Sequence, residues 1–364
     1  MLYFLSELRH IFGPLRLFEY ITFRAGAAAF TAFLIVVLLG SWTARKLRQL
    51  NMQAASRYEG ILPPEMIDKE KEKTPCMGGL LLIGGVLVSA LLWMKLSSML
   101  SWIFIISTFE FMLVGFCDDY RKVFLKQGGG ISGKAKIIAQ TVIAAITVFS
   151  LIYLPECKKL MLDLNVPFMK EPLLQGYIWT VPLAILTIVA ACNAVNLTDG
   201  KDGLASGCMI FCMLTYSAIA YMMGHKFFAE YLNISSIHGV GEAMVFGLAI
   251  IGGCTGFLWH NCKPASMFMG DTGSLALGGA LGIFAVVLRQ ELLLIIAGGV
   301  FVMEALSDVL QILSFRLFNK RIFLCAPIHH HFERKGWTET QIVVRFWILS
   351  GLFAMMALAT LKLR

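Results

Sequence analysis

Two adjacent carboxylates, Asp118 and Asp119, close an apolar run and are followed at once by Tyr120, Arg121 and Lys122. An ionised pair at the end of a hydrophobic stretch is costly unless cations, a metal ion or bound phosphate compensate it. Alone, such a pair marks the boundary between an apolar segment and water. Further polar clusters argue against so plain a role. Gly270, Asp271, Thr272 and Gly273 open another apolar run, where Asp271 is either a helix N-cap or a hard-oxygen ligand of the kind Mg²⁺ prefers. Asn193, Asn196, Asp199 and Asp202 recur every third residue, so on a continuous helix their direction drifts by about 60° per step. Gly200 and Gly203 indicate that the helix opens there, turning amides and carboxamides toward a ligand. His329, His330 and His331 are consecutive and cannot share one direction in helix or strand, which disfavours a three-histidine metal centre and favours one or two rings facing a phosphate.

Other candidates are single residues. Lys73, ahead of Thr74, Pro75, Cys76, Met77, Gly78 and Gly79, is a candidate anion binder, and the Phe268 ring offers a stacking surface for a base beyond Asn261. The run 128–135 nearly matches a phosphate-binding Walker A loop, but Ala135 stands where a Mg²⁺-binding hydroxyl is needed and the flanks are apolar helix rather than βαβ. An ATPase is therefore not expected, although Lys134 or Lys136 remains available to a phosphate. Glu304 and Asp308, four apart on one helical face, read as a structural group with Gln311 and Arg316 or as a proton relay.

The elements that must position these groups are membrane helices. The chain has 364 residues, 58% of them hydrophobic and 15% charged, with a mean hydropathy of +0.74, a composition that excludes a soluble domain. A span needs roughly 20 apolar residues, and about ten such runs are present, near 25–41, 77–96, 99–117, 137–154, 177–193, 204–223, 243–259, 274–288, 292–315 and 343–361. The expectation is an all-α polytopic membrane protein, one integral unit over 1–364, with 1–21 as an interfacial N-terminal segment. No cleavable signal sequence is expected. Sorting the 31 Lys and Arg between alternate connections puts 20 on one side and 11 on the other. The richer side is cytoplasmic by the positive-inside rule, which places both termini outside and every polar cluster above on the cytoplasmic face. Nine cysteines form no CxxC pair, so neither a disulfide framework nor a zinc site is expected.

Taken together, Thr74 to Gly79, Asp118 to Lys122, Asn193 to Gly200, Met269 to Ser274 and Pro327 to His331 closely resemble the phospho-N-acetylmuramoyl-pentapeptide transferases, within the polyprenyl-phosphate N-acetylhexosamine-1-phosphate transferase superfamily. The resemblance covers nearly the whole chain. It implies ten spans with both ends periplasmic in the bacterial inner membrane, and transfer of phospho-N-acetylmuramoyl-pentapeptide from its UDP conjugate to undecaprenyl phosphate, giving lipid I and UMP with Mg²⁺. It further implies that Asp118 and Asp119 are a catalytic pair, that Asp271 is the magnesium ligand and catalytic, and that His330 is catalytic within a phosphate site shared with His329 and His331. Lys73, Lys122, Lys136, Asn193, Asn196, Asp199, Asp202, Asn261 and Phe268 correspond to substrate-binding positions. Cys76, Lys201 and His260 depart from the usual Thr, Leu and aromatic residue, and Lys201 is close enough in sequence to pair with Asp199 or Asp202.

Such a reaction exchanges one phosphoanhydride for another and needs no ATP. The expected route has Asp118 remove the last proton from the lipid phosphate, which attacks the UDP-sugar directly; a covalent phospho-aspartate is the competing route. Partners are then the nucleotide-sugar-peptide, the lipid phosphate and membrane lipids, with no nucleic acid, and with a homodimer packed through Gly278 and Gly282 left open. Competing functions are transfer of N-acetylglucosamine-1-phosphate to the same lipid, a proton-coupled secondary transporter built on Glu304 and Asp308, and a prenyltransferase, which Lys122 disfavours by occupying the last place of a DDxxD motif.

Overall fold

The computed structural model describes residues 1–50, 52, 74–125, 129–158, 160–169 and 171–362. Two short 3-10 helices, Leu2–His10 and Gly13–Glu19, precede α1 (Ile21–Gln49). Then follow α2 (Gly79–Trp93), α3 (Met99–Val123), α4 (Gly133–Tyr153) and the four-residue α5 (Pro155–Lys158). A two-stranded antiparallel ladder, β1 (Asp163–Leu164) with β2 (Leu174–Gln175), leads into α6 (Tyr177–Thr198), α7 (Leu204–Gly224) and α8 (Lys226–Leu232). The chain ends with α9 (Gly241–Asn261), α10 (Gly270–Val287), α11 (Leu294–Ala297), α12 (Gly299–Phe318), α13 (Ile328–Arg334) and α14 (Glu339–Thr360).

Eight of these helices are long and apolar enough to cross a membrane: α1, α3, α4, α6, α7, α9, α10 and α14. This is an all-α, multi-pass membrane protein. The other two expected spans differ in kind. The run 77–96 forms the 15-residue α2. The run 292–315 is not one helix: it breaks at Gly298, and only from Gly299 does α12 continue. A side chain on Gly299 would meet the Phe353 ring at 2.6 Å, so the break lets α12 press against α14.

α10 is the post around which the bundle is built. All its 18 residues are buried, including Asp271, Thr272 and Ser274, and α3 and α6 pack along it. Close approach of α6 depends on Gly278 and Gly282, whose added Cβ atoms would each lie 2.6 Å from α6 backbone. These two glycines therefore face a helix of the same chain, which removes them as the contact surface for a second copy.

Candidate active site

Helix α3 continues past its apolar run to Val123, which sets Asp118 and Lys122 four residues apart on one face. Lys122 Nζ lies 2.5 Å from Asp118 Oδ2, and Lys136 Nζ, from the first turn of α4, reaches the same oxygen at 2.8 Å. Both ammonium groups also contact Oδ2 of Asp271 on α10, Lys136 at 2.7 Å and Lys122 at 3.1 Å. Two carboxylates and two ammoniums thus alternate around a closed ring. The Asp118 and Asp271 side chains are 0% and 3% exposed while Lys122 and Lys136 are 21% and 15% exposed, so the ring opens to its surroundings through its cations. Burial without compensation would cost several kcal/mol per ion; here each charge meets two of opposite sign. Ile131 N–H also donates to Asp118 Oδ1 at 2.7 Å, and the Asn196 carboxamide donates to Asp271 Oδ1 at 3.1 Å and to Ser274 Oγ at 2.8 Å.

Asp119 has a different duty from its neighbour. Its carboxylate accepts from the backbone N–H of Asp271 (3.1 Å) and Thr272 (2.8 Å) and from the Thr272 hydroxyl (2.7 Å), satisfying amides that the first turn of α10 leaves free. Asp271 itself starts the helix rather than capping it. Two glycines permit the contact. Gly270 has φ +74°, and an added Cβ would lie 2.6 Å from Asp119 Oδ2; one on Gly115 would lie 2.1 Å from the Asp271 carbonyl oxygen. Adjacent carboxylates are thereby divided, Asp118 facing the lysines and Asp119 fastening α3 to α10.

The remaining loops gather around this pair of helices. The first and fourth are tied by Gly78 N–H to Phe268 O, Phe268 N–H to Pro75 O and Gly79 N–H to Met269 O, at 2.8 to 2.9 Å. Lys73 lies outside the described residues, and the half-buried Phe268 is held by these backbone links. In the third loop α6 runs on through Thr198 and opens over Asp199–Gly203, as the glycines lead one to expect. Asn193 donates to Gln140 Oε1 at 2.7 Å, Asp202 accepts from Ala265 N–H at 3.3 Å, and Asp199 is half-buried in the opened turn. Asn261 uses both ends of its carboxamide on backbone, accepting from Gly203 N–H at 2.9 Å and donating to Met267 O at 3.0 Å. His260 turns away to α1, with Nε2 3.1 Å from Val37 O. Lys134 is exposed, so of the two lysines after the glycine run it is Lys136 that enters the cluster.

The three histidines of α13 point in three directions, as consecutive helical residues must. His329 Nδ1 lies 3.0 Å from Glu304 Oε2, and both side chains are buried; His330 Nδ1 lies 2.9 Å from Glu333 Oε2; His331 Nδ1 accepts the Leu324 N–H at 3.1 Å. Glu333 also receives Lys201 at 2.5 Å, so the departure at 201 ties the third loop to α13. The His330 hydrogen bond, opposed by burial and helped by Lys201, holds the Glu333 carboxyl down at about 2. Burial lowers the His330 imidazole, against the pull of Glu333, and that of His331. Glu304 is thus engaged with a histidine, with Asp308 within electrostatic reach of both, while Gln311 holds the chain at Ile322 and Phe323. Sequence reading passed over Gln140, Thr272, Ser274 and Glu333. Gln140 carried a usable signal, since it follows Lys136 by one helical turn.

With the Asp–Lys ring at the start of α10 and α13 tied to the neighbouring Gly200 turn, resemblance to known proteins has a structural counterpart. The glycosyl transferase family 4 model matches residues 101–289, the stretch from within α3 to just past α10. The chain is 45% identical over 366 residues to a phospho-N-acetylmuramoyl-pentapeptide-transferase of Methylacidiphilum infernorum, with all of both chains covered. A protein of the same name from Syntrophus aciditrophicus is 47% identical over 369 residues, again covering all of both. The chain belongs to this transferase family. Another member, from Desulfotalea psychrophila, is 47% identical over 363 residues and 99% of each chain. Both the ring of Asp118, Lys122, Lys136 and Asp271 and the helix that carries Asp271 fall inside the stretch common to glycosyl transferase family 4, whereas α13 and its histidines lie beyond it.

Proposed function

We propose that this protein transfers phospho-N-acetylmuramoyl-pentapeptide from its UDP conjugate to undecaprenyl phosphate, releasing UMP and forming lipid I for peptidoglycan synthesis. The name its relatives carry supports the reaction, and the observation that carries the site is the buried ring of Asp118, Lys122, Asp271 and Lys136. In the cytoplasmic membrane, with ten spans and both termini outside, the ring faces the cytoplasm, where a nucleotide donor is found. The basic excess on that side supports the orientation.

Donor and acceptor are both anions, so their repulsion is the first barrier. Lys122 and Lys136, the exposed members of the ring, are the cations offered to the phosphoryl oxygens, where a fixed positive charge stabilises the charge that develops during transfer. An oxygen of the lipid phosphate forms a bond to the phosphorus that carries the sugar, and the bond from that phosphorus to the oxygen of UMP breaks. Asp118, held by two ammoniums and an N–H, takes the last proton of the lipid phosphate where that phosphate, which ionises near pH 6, still carries one. Asp119 takes no part in proton transfer in this scheme: it holds the start of α10, and with it Asp271, in place.

A Mg²⁺ ion fits the donor set. Asp118 and Asp271 turn oxygens toward the same two ammonium nitrogens, and Asn196 adds a carboxamide beside Asp271. Magnesium is held by one or two carboxylates, the rest of its shell being phosphate oxygens and water. Asp271, with Asp118 beside it, would hold the ion, which when bound supplies Lewis-acid neutralisation of the diphosphate. Asn193, Asn196, Asp199, Asp202, Asn261, Phe268, His329, His330 and His331 then line or support the nucleotide and phosphate pocket.

The test is release of labelled UMP from UDP-N-acetylmuramoyl-pentapeptide in membranes, with undecaprenyl phosphate, with and without Mg²⁺. Turnover with UDP-N-acetylglucosamine alone would move the assignment to the smaller sugar. Phosphorylated Asp118 trapped without lipid phosphate would replace direct attack by the covalent route.

A further inference from the structure

His329 and Glu304 make an unusual pair for a protein interior. One comes from α13 and the other from α12, their side chains are 1% and 0% exposed, and besides the Nδ1 to Oε2 contact each keeps one polar atom, His329 Nε2 and Glu304 Oε1, without a hydrogen-bond partner among the described residues. Polar groups buried in this way are rare unless they serve a purpose. His329 Nε2 faces the Gly200 turn, where an added Cβ would lie 2.5 Å from it. The turn bears Asp199 and Asp202, and it is tied to α13 a second time through Lys201 and Glu333. Glu333 in turn backs Nδ1 of His330, so two neighbouring rings 4.2 Å apart each have a carboxylate behind them.

We propose that Glu304 is a positioning residue for the transfer reaction: by holding Nδ1 of His329 it seats that ring against Gly200, and so fixes α13, with His330, over the turn that receives the nucleotide donor. The inference rests on the function proposed above. Glu304 does not touch substrate; it acts through His329, as carboxylates that orient histidines do elsewhere. The arm runs from Glu304 through His329 to the Gly200 turn, and Glu304 is not a member of the Asp118, Lys122, Lys136 and Asp271 ring.

The experiment compares wild type with Glu304→Ala, Glu304→Gln, His329→Ala, the Glu304→Ala/His329→Ala double variant and Gly200→Ala, in purified full-length protein. It reads kcat and KM for the UDP donor and for the lipid phosphate separately, with a melting curve for each variant. The expected result is a loss in kcat/KM for the donor of about 10- to 100-fold in Glu304→Ala, a KM for the lipid close to wild type, and recovery of most of the loss in Glu304→Gln, whose amide still offers Nδ1 a hydrogen-bond partner. Glu304→Ala should cost nothing further once His329 is alanine, and Gly200→Ala should reproduce the donor defect by displacing the ring. Equal losses toward both substrates, additive effects in the double variant, or a lowered melting temperature with unchanged kinetics would each overturn the proposal. Absence of UMP release by wild type would instead overturn the functional reading, leaving the two failures distinct.

Discussion

Charged groups are buried at both ends of this bundle, and the two ends solve the problem differently. At the end where α1 and α9 begin, Arg24 forms a two-bond fork with Glu242 at 2.7 and 2.8 Å, donates to Trp93 O, and is 2% exposed; Glu242 also accepts from Lys95 N–H. Just past α10, Arg289 pairs with Glu291 at 2.5 Å and donates to Asp163 O, both side chains 1% exposed. At the opposite end, where α10 begins, the cations are lysines and each is shared between two aspartates. A guanidinium holds a planar fork in one geometry, whereas an ammonium is a point charge that changes partners at little cost. Arginine at one end locks helices together; lysine at the other, under the proposed function, can pass its charge to an incoming phosphate.

The largest effect expected from breaking this contrast is on chemistry. Asp271→Asn keeps the shape of the side chain and should lower UMP release by about a thousandfold, with a melting temperature near that of wild type. Arg24→Met leaves Glu242 buried and unpaired, and should cost about 3 to 5 kcal/mol of stability while the folded fraction turns over at the normal rate. Lys136→Met gives the converse at smaller scale: about a hundredfold loss in turnover with a melting curve little changed, because Lys122 still bridges the two aspartates. If Arg24→Met instead lowered turnover per folded molecule, the division between a locking end and a working end would fail.

The smallest expected effect is a pH dependence at the locking end. Burial raises the Glu291 carboxyl from 4.5 to about 6, with Arg289 opposing. Between those values the folded protein binds the proton more tightly than the unfolded chain. The contribution of this group to stability should therefore be fully present below about pH 4.5 and be lost, by about 2 kcal/mol in total, as pH rises through 6. Melting curves of wild type and Glu291→Gln across that range should diverge accordingly, the variant lacking this component.

Much of this is legible in the sequence. Hydropathy located the long helices, though α1 and α3 run on well past their apolar runs to Gln49 and Val123, and the glycines at 200 and 203 marked where α6 ends and α7 begins. It failed at Gly298, because an apolar run reads the same whether or not the backbone bends within it. Composition singled out Asp118, Asp119 and Asp271 together, yet could not separate their roles. That depended on α3 extending to Val123, which aims Asp118 at Lys122 and Asp119 at the first turn of α10. Gly278 and Gly282 looked like a surface for a second copy only while α10 was thought to have a free face.

What the sequence determines by itself is local: which stretches are apolar enough to be helices, and which polar residues are too expensive to stand at their ends without a task. Hydrophobicity and helical period act within a few residues, so both can be read along the chain. Only the tertiary structure decides partners, such as Lys136 with Asp271, Glu304 with His329 or Lys201 with Glu333. Charge attraction depends on distance in space, and that distance is set by how the helices cross and pack around α10.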